Sequence, residues 1–286
     1  MDEEGKNNVI WGDNLMKILY YDCFCGISGD MNLGALVDLG VSGEYLIQEL
    51  AKLQLDSEYE IQIKKVPKMG ISGSKVDVIL KNKGHVPPEH AQKHHVPPAE
   101  AESQAKDFNE HQHRNLQDIE RIINGSCLND RVKKASLNMF AKIADAEAKV
   151  HGKPVNEVHF HEVGATDSIV DLVGAAIALD YLKPDKIMAS SVQVGGGFVK
   201  CAHGLFPVPA PATVELLTGL PIRFGLVPFE TATPTGAAIL RANVDSFTDK
   251  LEFAVEKIGY GIGNRDFDAV PNVLRVYLGK TADCEK

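Results

Sequence analysis

Three things are scarce in this sequence, and each scarcity closes off a class of function. Basic residues are outnumbered: 30 Lys and Arg stand against 39 Asp and Glu in 286 residues, a formal charge of −9. A protein that grips a phosphate backbone needs the opposite surplus, so no nucleic acid partner is expected. Long apolar runs are missing too. None approaches the roughly 18 residues that a membrane helix needs, and the opening Met1-Asp-Glu-Glu-Gly-Lys6 is too acidic for a secretory signal. Cysteine is sparse, odd in number and scattered, at Cys23, Cys25, Cys127, Cys201 and Cys284, which does not make a disulfide framework. The expectation is a reduced, cytoplasmic protein without membrane contact. Several catalytic signatures are also absent: no Walker A loop, no Gly-x-Ser-x-Gly and no His-Glu-x-x-His.

The remaining composition, 44% hydrophobic and 24% charged, is that of an ordinary globular chain. Residues 1–15 lack periodicity and read as a disordered leader. An N-terminal α/β lobe follows over 16–83. Its first strand is Lys17–Asp22, and a glycine turn leads into a helix over Asp30–Leu39. Leu46, Ile47 and Leu50 mark a second helix, and two alternating runs around Met69-Gly70 predict a β-hairpin. At Gly84 the composition changes. From His85 to His113 lie six of the ten histidines and two Pro-Pro pairs, with almost nothing apolar, so 84–113 reads as a flexible, disordered His-rich linker.

Residues 114–279 form the main α/β domain, and 280–286 a polar tail. Helical periodicity runs from Leu116 to Ile123 and again from Asn129 to Val150. Val158 and Phe160 alternate as in a strand, Ile169–Leu182 is an apolar helix, and Ile187–Val194 reads as one buried strand. Cys201–Pro211 reads as a stiff loop because three prolines restrict it, and Gly259-Tyr-Gly-Ile-Gly263 as a turn. Asn272–Leu278 is the last strand. The fold class is α/β, a mixed layered sheet-and-helix domain interrupted by the His-rich insertion.

Four blocks could carry chemistry. In Glu157–Asp171, strand alternation would put His159 and His161 on one face, with Glu162 adjoining, while Asp167 and Asp171 stack four apart on a helix. Two imidazoles and up to three carboxylates suit a borderline metal such as Ni, Zn, Mn or Fe, weighed against an exposed strand edge and an N-cap. Asp22–Asp30 follows a strand's carboxyl end, where α/β proteins place function, and Asp22 and Asp30 are better candidates than the thiols. His203, beside Gly204 in the proline-rich loop, could act as ligand or acid/base. Thr233, Thr235 and Gly236 open a helix whose first N–H groups would suit a phosphate, weighed against a plain threonine cap.

Taken together and in this order, Asp22–Met31, Val158–Asp171, His203–Thr213 and Glu230–Gly236 resemble the LarC family, the nickel insertion proteins of nickel-pincer cofactor biosynthesis. The resemblance runs from Met16 to Gly279. It implies a nickel chelatase of the lyase class that places Ni2+ into pyridinium-3,5-bisthiocarboxylic acid mononucleotide, for lactate racemase or a related apo-enzyme. It also implies CTP, with a divalent ion such as Mg2+ or Mn2+, acting through a C-terminal domain that this chain lacks, so that a separate C-terminal subunit and a homo-oligomer are expected partners. On this reading His159, His161, Glu162, Asp167 and Asp171 hold the metal. Asp22, Asp30 and His203 are catalytic, and Thr233, Thr235 and Gly236 bind the nucleotide part. Cys25 stands where the family pattern has serine, and no role carries over to it. Two other readings are a non-catalytic nickel carrier or store using the His-rich insertion, and a metal-dependent phosphohydrolase.

Overall fold

The computed structural model describes residues 15–81, 114–158, 160, 164–201, 204–266 and 270–282. The chain runs β1 (Leu15–Asp22), α1 (Gly29–Leu39), α2 (Gly43–Ala51), β2 (Tyr59–Lys68) and β3 (Ile71–Leu80), then α3 (Leu116–Gly125) and α4 (Asp130–His151). A 3-10 turn (Val155–Glu157) leads to α5 (Thr166–Leu182), β4 (Lys186–Ala189), β5 (Val192–Gln193), β6 (Phe198–Cys201) and β7 (Gly204–Pro207). It ends with α6 (Pro211–Leu216), β8 (Ile222–Arg223), α7 (Pro234–Asn243), β9 (Ser246–Phe247), β10 (Ala254–Ile262) and β11 (Val273–Ala282). Seven strands make one sheet in the order β2-β3-β10-β11-β1-β4-β9. It is mixed: β1–β4, β4–β9 and β3–β10 pair parallel, the rest antiparallel. Segments from both sides of the His-rich stretch therefore alternate within one sheet, and the stretch itself lies outside the described residues.

Alternation along the central strands sorts the two faces. Leu19 and Tyr21 of β1 and Leu274, Val276 and Leu278 of β11 join the core formed with α1, α4, α5 and α7. On the other face the partly buried Tyr20, Asp22, Arg275 and Tyr277 stand opposite one another in register. The β2–β3 hairpin turns on Met69 and Gly70, both at positive φ (48° and 84°), as a two-residue turn requires.

One contact sets the geometry of the whole layer. Helix α1 lies on β10 and β3 with almost no side chain between the backbones. A Cβ on Gly261 would fall 1.8 Å from the Met31 carbonyl oxygen, and one on Gly259 2.2 Å from that of Ala35. On the helix side, a Cβ on Gly34 would sit 2.4 Å from the Ser74 carbonyl oxygen. The glycine run that reads as a turn is therefore a strand, because glycine is the residue that lets a helix approach this closely.

Other expectations shift for local reasons. Val158 and Phe160 belong to no strand; both are buried, but behind the 3-10 turn. The Ile187–Val194 run breaks at Ser190-Ser191 into β4 and β5, which join different sheets. The proline-rich loop contains the outer strand of the β6–β7 hairpin. The last strand continues to Ala282, opposite Leu15. The start of α5 is held by a charged clamp: Arg114 Nη2 donates to both Glu58 oxygens (2.6 and 2.8 Å), its Nη1 donates to Thr166 Oγ1 at 3.0 Å, and Thr166 Oγ1 donates to Glu58 at 2.5 Å.

Gly261→Ala should cost about 3 kcal/mol of unfolding free energy by overpacking. Gly125→Ala, which adds a methyl to open space, should be neutral or slightly stabilising in the same denaturant titration. Equal effects would show that α1 does not need its seat. In the clamp, burial works to raise the Glu58 pKa, but the hydrogen bonds from Arg114 and Thr166 and the Arg114 charge outweigh it and hold the carboxyl low. A depressed folded pKa stabilises above the unfolded value, near 4.3, and that stability is lost as pH falls through the folded one. Glu58→Gln should cost about 2 kcal/mol at neutral pH and flatten the acid limb of stability against pH; an unchanged limb would contradict the clamp.

Candidate functional site

Three helices begin at one cavity of about 380 Å³. The start of α1 contributes Ser28, Gly29 and Asp30; the start of α5 contributes Asp167, Ser168 and Asp171; the start of α7 contributes Thr233, Pro234 and Thr235. Val76, Asp77 and Val78 of β3, with Glu230 and Asn264, complete the wall. β3 pairs with β10 only at Ser74–Gly261, so its later residues run past the end of β10 and border the cavity. Close packing brings the helix starts together. A Cβ on Gly29 would sit 2.1 Å from Asp171 Oδ2, and one on Gly236 2.2 Å from the Ile27 carbonyl oxygen.

The three helix ends are not equivalent. At α7 the Thr233 hydroxyl accepts from the Gly236 N–H (3.3 Å) and lies 2.9 Å from Thr235 Oγ1, so the threonine cap is made. At α1 and α5 the capping positions, Ser28 and Ala165, provide no side-chain cap. Their first-turn N–H groups and the positive ends of two helix dipoles therefore face a space that carboxylates share. Ser28 Oγ instead donates to Asp30 Oδ1, and Asn264 Nδ2 donates to Asp30 Oδ2 at 2.9 Å. Asp167 is exposed and accepts from the Ser168 N–H at 2.9 Å.

Asp171 is the anomaly. Its Oδ1 is sealed from solvent and has no hydrogen-bond partner among the described residues. Burial, then the nearby carboxylates of Asp30 and Asp167, push its pKa well above the carboxylate range. Asp30 is raised as well, by burial with a contribution from Asp77, against the hydrogen bonds from Ser28 and from the Met31 N–H. Both shifts favour the neutral acid over the carboxylate, and a cation placed in the cavity would oppose both. Among the described residues no three His, Cys, Asp or Glu side chains already gather as a closed metal-binding group.

Asp30, Asp167, Asp171, Thr233 and Thr235 thus converge on one cavity. Gly236 sits behind it as a packing residue rather than in its wall. Asp22 does not join them: Arg275 donates to its Oδ2 from Nη2 (2.5 Å) and Nε (2.9 Å), and it lines a second cavity. Burial pushes the Cys25 thiol up to about 11, against a backbone hydrogen bond from Val273 and the Lys68 charge. Burial and then Asp22 raise Cys23 further, so both are neutral thiols in the interior. His159, His161, Glu162 and His203 lie outside the described residues. Their flanks are defined: Phe160 is buried, a Cβ on Gly164 would meet the Arg114 carbonyl oxygen at 2.6 Å, and Cys201 pairs with Gly204. Sequence reasoning missed Asp77, Ser168 and Asn264. Ser168 lies inside the Val158–Asp171 block but drew no role there, and Asp77 and Asn264 stand in no motif; Asp77 occupies an ordinary position of an alternating strand.

No helix among the described residues is long and apolar enough to cross a membrane. Comparison with known proteins agrees with the motif resemblance. The model of the family described as nickel insertion protein matches residues 19–286. A pyridinium-3,5-bisthiocarboxylic acid mononucleotide nickel insertion protein of Clostridium acetobutylicum is 64% identical over 285 residues, covering 93% of this chain and 64% of that protein. The proteins of the same name from Clostridium kluyveri and Geobacillus kaustophilus are 62% and 48% identical, over 95% and 93% of this chain. This chain spans 64% and 60% of those two proteins. No solved structure matches. The chain belongs to the nickel insertion protein family.

Proposed function

We propose that this chain is the metal-handling part of a nickel insertase. It takes Ni2+ as a substrate in the cavity where α1, α5 and α7 begin, and passes it to pyridinium-3,5-bisthiocarboxylic acid mononucleotide. The observation that supports this most is Asp171, a carboxyl beside two further carboxylates with one sealed oxygen that has no partner among the described residues. An apo site built this way is electrostatically unsatisfied, and a divalent ion would relieve it by displacing the protons. Asp171, Asp30 and Asp167 are the carboxylate ligands, with His159, His161, Glu162 and His203 completing the set. The start of α7, at Thr233 and Thr235, is the place for the substrate's phosphate.

Donor softness sets the direction of transfer. Carboxylate and imidazole hold nickel as borderline-hard ligands, and the thiocarboxylate sulfurs of the acceptor are softer and take the ion on contact. The buried, neutral Cys23 and Cys25 do not compete for it. Lyase-class chemistry, CTP with Mg2+ or Mn2+ acting outside this cavity, and delivery of the product to lactate racemase or a related apo-enzyme belong to the same proposal. A subsidiary carrier role for the His-rich stretch is favoured by its two anchors. It leaves from β3, which walls the cavity, and returns at Arg114, which clamps the start of α5.

Asp171→Asn separates the two roles of that carboxyl. A raised folded pKa means that its ionisation costs stability as pH rises through the unfolded value. The amide should therefore stabilise the apo protein at neutral pH by about 1 kcal/mol, yet abolish the nickel uptake measured by calorimetry and the nickel transfer measured by racemase activation. A variant that is less stable, or that still transfers nickel normally, would refute the assignment. Nickel binding by the unaltered chain, titrated in buffers of different ionisation enthalpy, should show net proton release. Deleting residues 85–113 should lower the total nickel bound and keep one site. Loss of the single tight site on deletion would move the function to the His-rich stretch.

A further inference from the structure

The three carboxylates assigned to nickel are not equally held. Asp171 Oδ1 has no hydrogen-bond partner among the described residues. Both oxygens of Asp30 have one: Ser28 Oγ donates to Oδ1, and Asn264 Nδ2 donates to Oδ2 at 2.9 Å. The acids also differ in position. Asp30 lines both the metal cavity and a smaller one of about 180 Å³ beside it, whereas Asp167 and Asp171 line the first alone. Ser28 and Asn264 border both spaces as well, so Asp30 stands with its two donors at the junction.

Asn264 is brought there by a loop tied down from behind. Lys68, at the end of β2, has a side chain only 11% exposed. Its ammonium donates to the carbonyl oxygens of Gly263 (2.7 Å) and Arg265 (2.6 Å) and pairs with Asp266 at 3.0 Å. Asn272 Nδ2 donates to the Arg265 carbonyl oxygen at 3.2 Å, and the Gly263 N–H donates to that of Asn272 at 3.0 Å. The backbone on both sides of Asn264 is therefore fixed, while its own side chain is exposed. Replacing that side chain removes a hydrogen bond and little packing.

Arg265 adds a direction. Among the described residues it is the one Lys or Arg in the wall of either cavity, and it lines the smaller. It reaches back to the Glu230 carbonyl oxygen, to which Nη1 donates at 3.3 Å. The metal cavity is walled by the carboxyl groups of Asp30, Asp77, Asp167, Asp171 and Glu230. An acceptor that carries thiocarboxylate and phosphate groups is repelled by such a wall, and finds a countercharge on the side of the smaller cavity.

We infer that Asp30 is the ligand nickel gives up first, toward the smaller cavity, and that Asn264 is the positioning residue that makes it so. This rests on the proposed function. A bond forms between nickel and a thiocarboxylate sulfur of the acceptor as the bond from nickel to Asp30 breaks. The sulfur arrives as an anion, Asp30 leaves as a carboxylate, and no electron changes hands. Donors already aimed at the leaving carboxylate lower the cost of releasing it. Asp171, with no donor at Oδ1 among the described residues, keeps the ion longest.

The test loads the full chain with Ni2+ and follows its extraction by excess thiobenzoate, through the absorbance of the nickel–sulfur complex. Calorimetry measures the nickel Kd separately. Asn264→Leu should slow extraction about tenfold, the size of one charge-assisted hydrogen bond, with the Kd weakened by no more than about threefold. Lys68→Met, which frees the loop, should slow extraction in the same sense. A merely structural role for the loop would instead weaken the affinity and speed extraction. Extraction from Asn264→Leu that is faster or within about threefold of normal, or a Kd weakened further than that, would overturn the inference. With nickel uptake lost in Asp171→Asn, such a result strikes this inference alone; undiminished uptake by Asp171→Asn would overturn the proposed function as well.

Discussion

The cavity at the three helix starts depends on how closely α1 approaches the sheet. A helix normally rides about 10 Å above a sheet on a layer of side chains. Here Gly34 on the helix and Gly259 and Gly261 on β10 remove that layer, and main chain meets main chain. The gain is position rather than area. With α1 seated low, Gly29 reaches Asp171 of α5, and Ile27 reaches Gly236 of α7. Three helix starts from distant parts of the chain then share one cavity.

That assembly places opposite tendencies side by side. Helix starts favour negative charge, and two of these three lack a side-chain cap. Burial and neighbouring carboxylates disfavour the same charge on Asp30 and Asp171. The cavity sits between these demands, and on the proposed function a divalent cation would resolve them. A site that only stores an ion has no need of such balance; one that must capture and release it does. The clamp of Arg114, Glu58 and Thr166 holds the start of α5, and with it the position of Asp167 and Asp171.

Much of this was legible in the sequence where local rules decide. The helices after Gly29 and Asn129, the Met69-Gly70 hairpin and the apolar α5 follow from periodicity and turn chemistry. The motif blocks name Asp30, Asp167, Asp171, Thr233 and Thr235 as candidates, and the structure brings these five to one cavity. The errors share a cause: tertiary contact overrode local pattern. Gly259-Tyr-Gly-Ile-Gly263 has turn composition, but its glycines answer to α1, which lies more than two hundred residues earlier in the sequence. Val158 and Phe160 alternate like a strand, but both point into a core behind a 3-10 turn. Asp77 and Asn264 were invisible because only strand pairing and a loop bring them to Asp30. Asp22 and Asp30 read alike in sequence, but Arg275, on the neighbouring strand, holds Asp22 at the other cavity.

The central claim is that nickel is held where α1, α5 and α7 begin. Anomalous diffraction at the nickel edge, on crystals of the full chain grown with one equivalent of Ni2+, tests it directly. The account predicts a single strong peak within bonding distance of Asp171 and at least one of Asp30 and Asp167. A peak elsewhere, with that cavity empty, would contradict it.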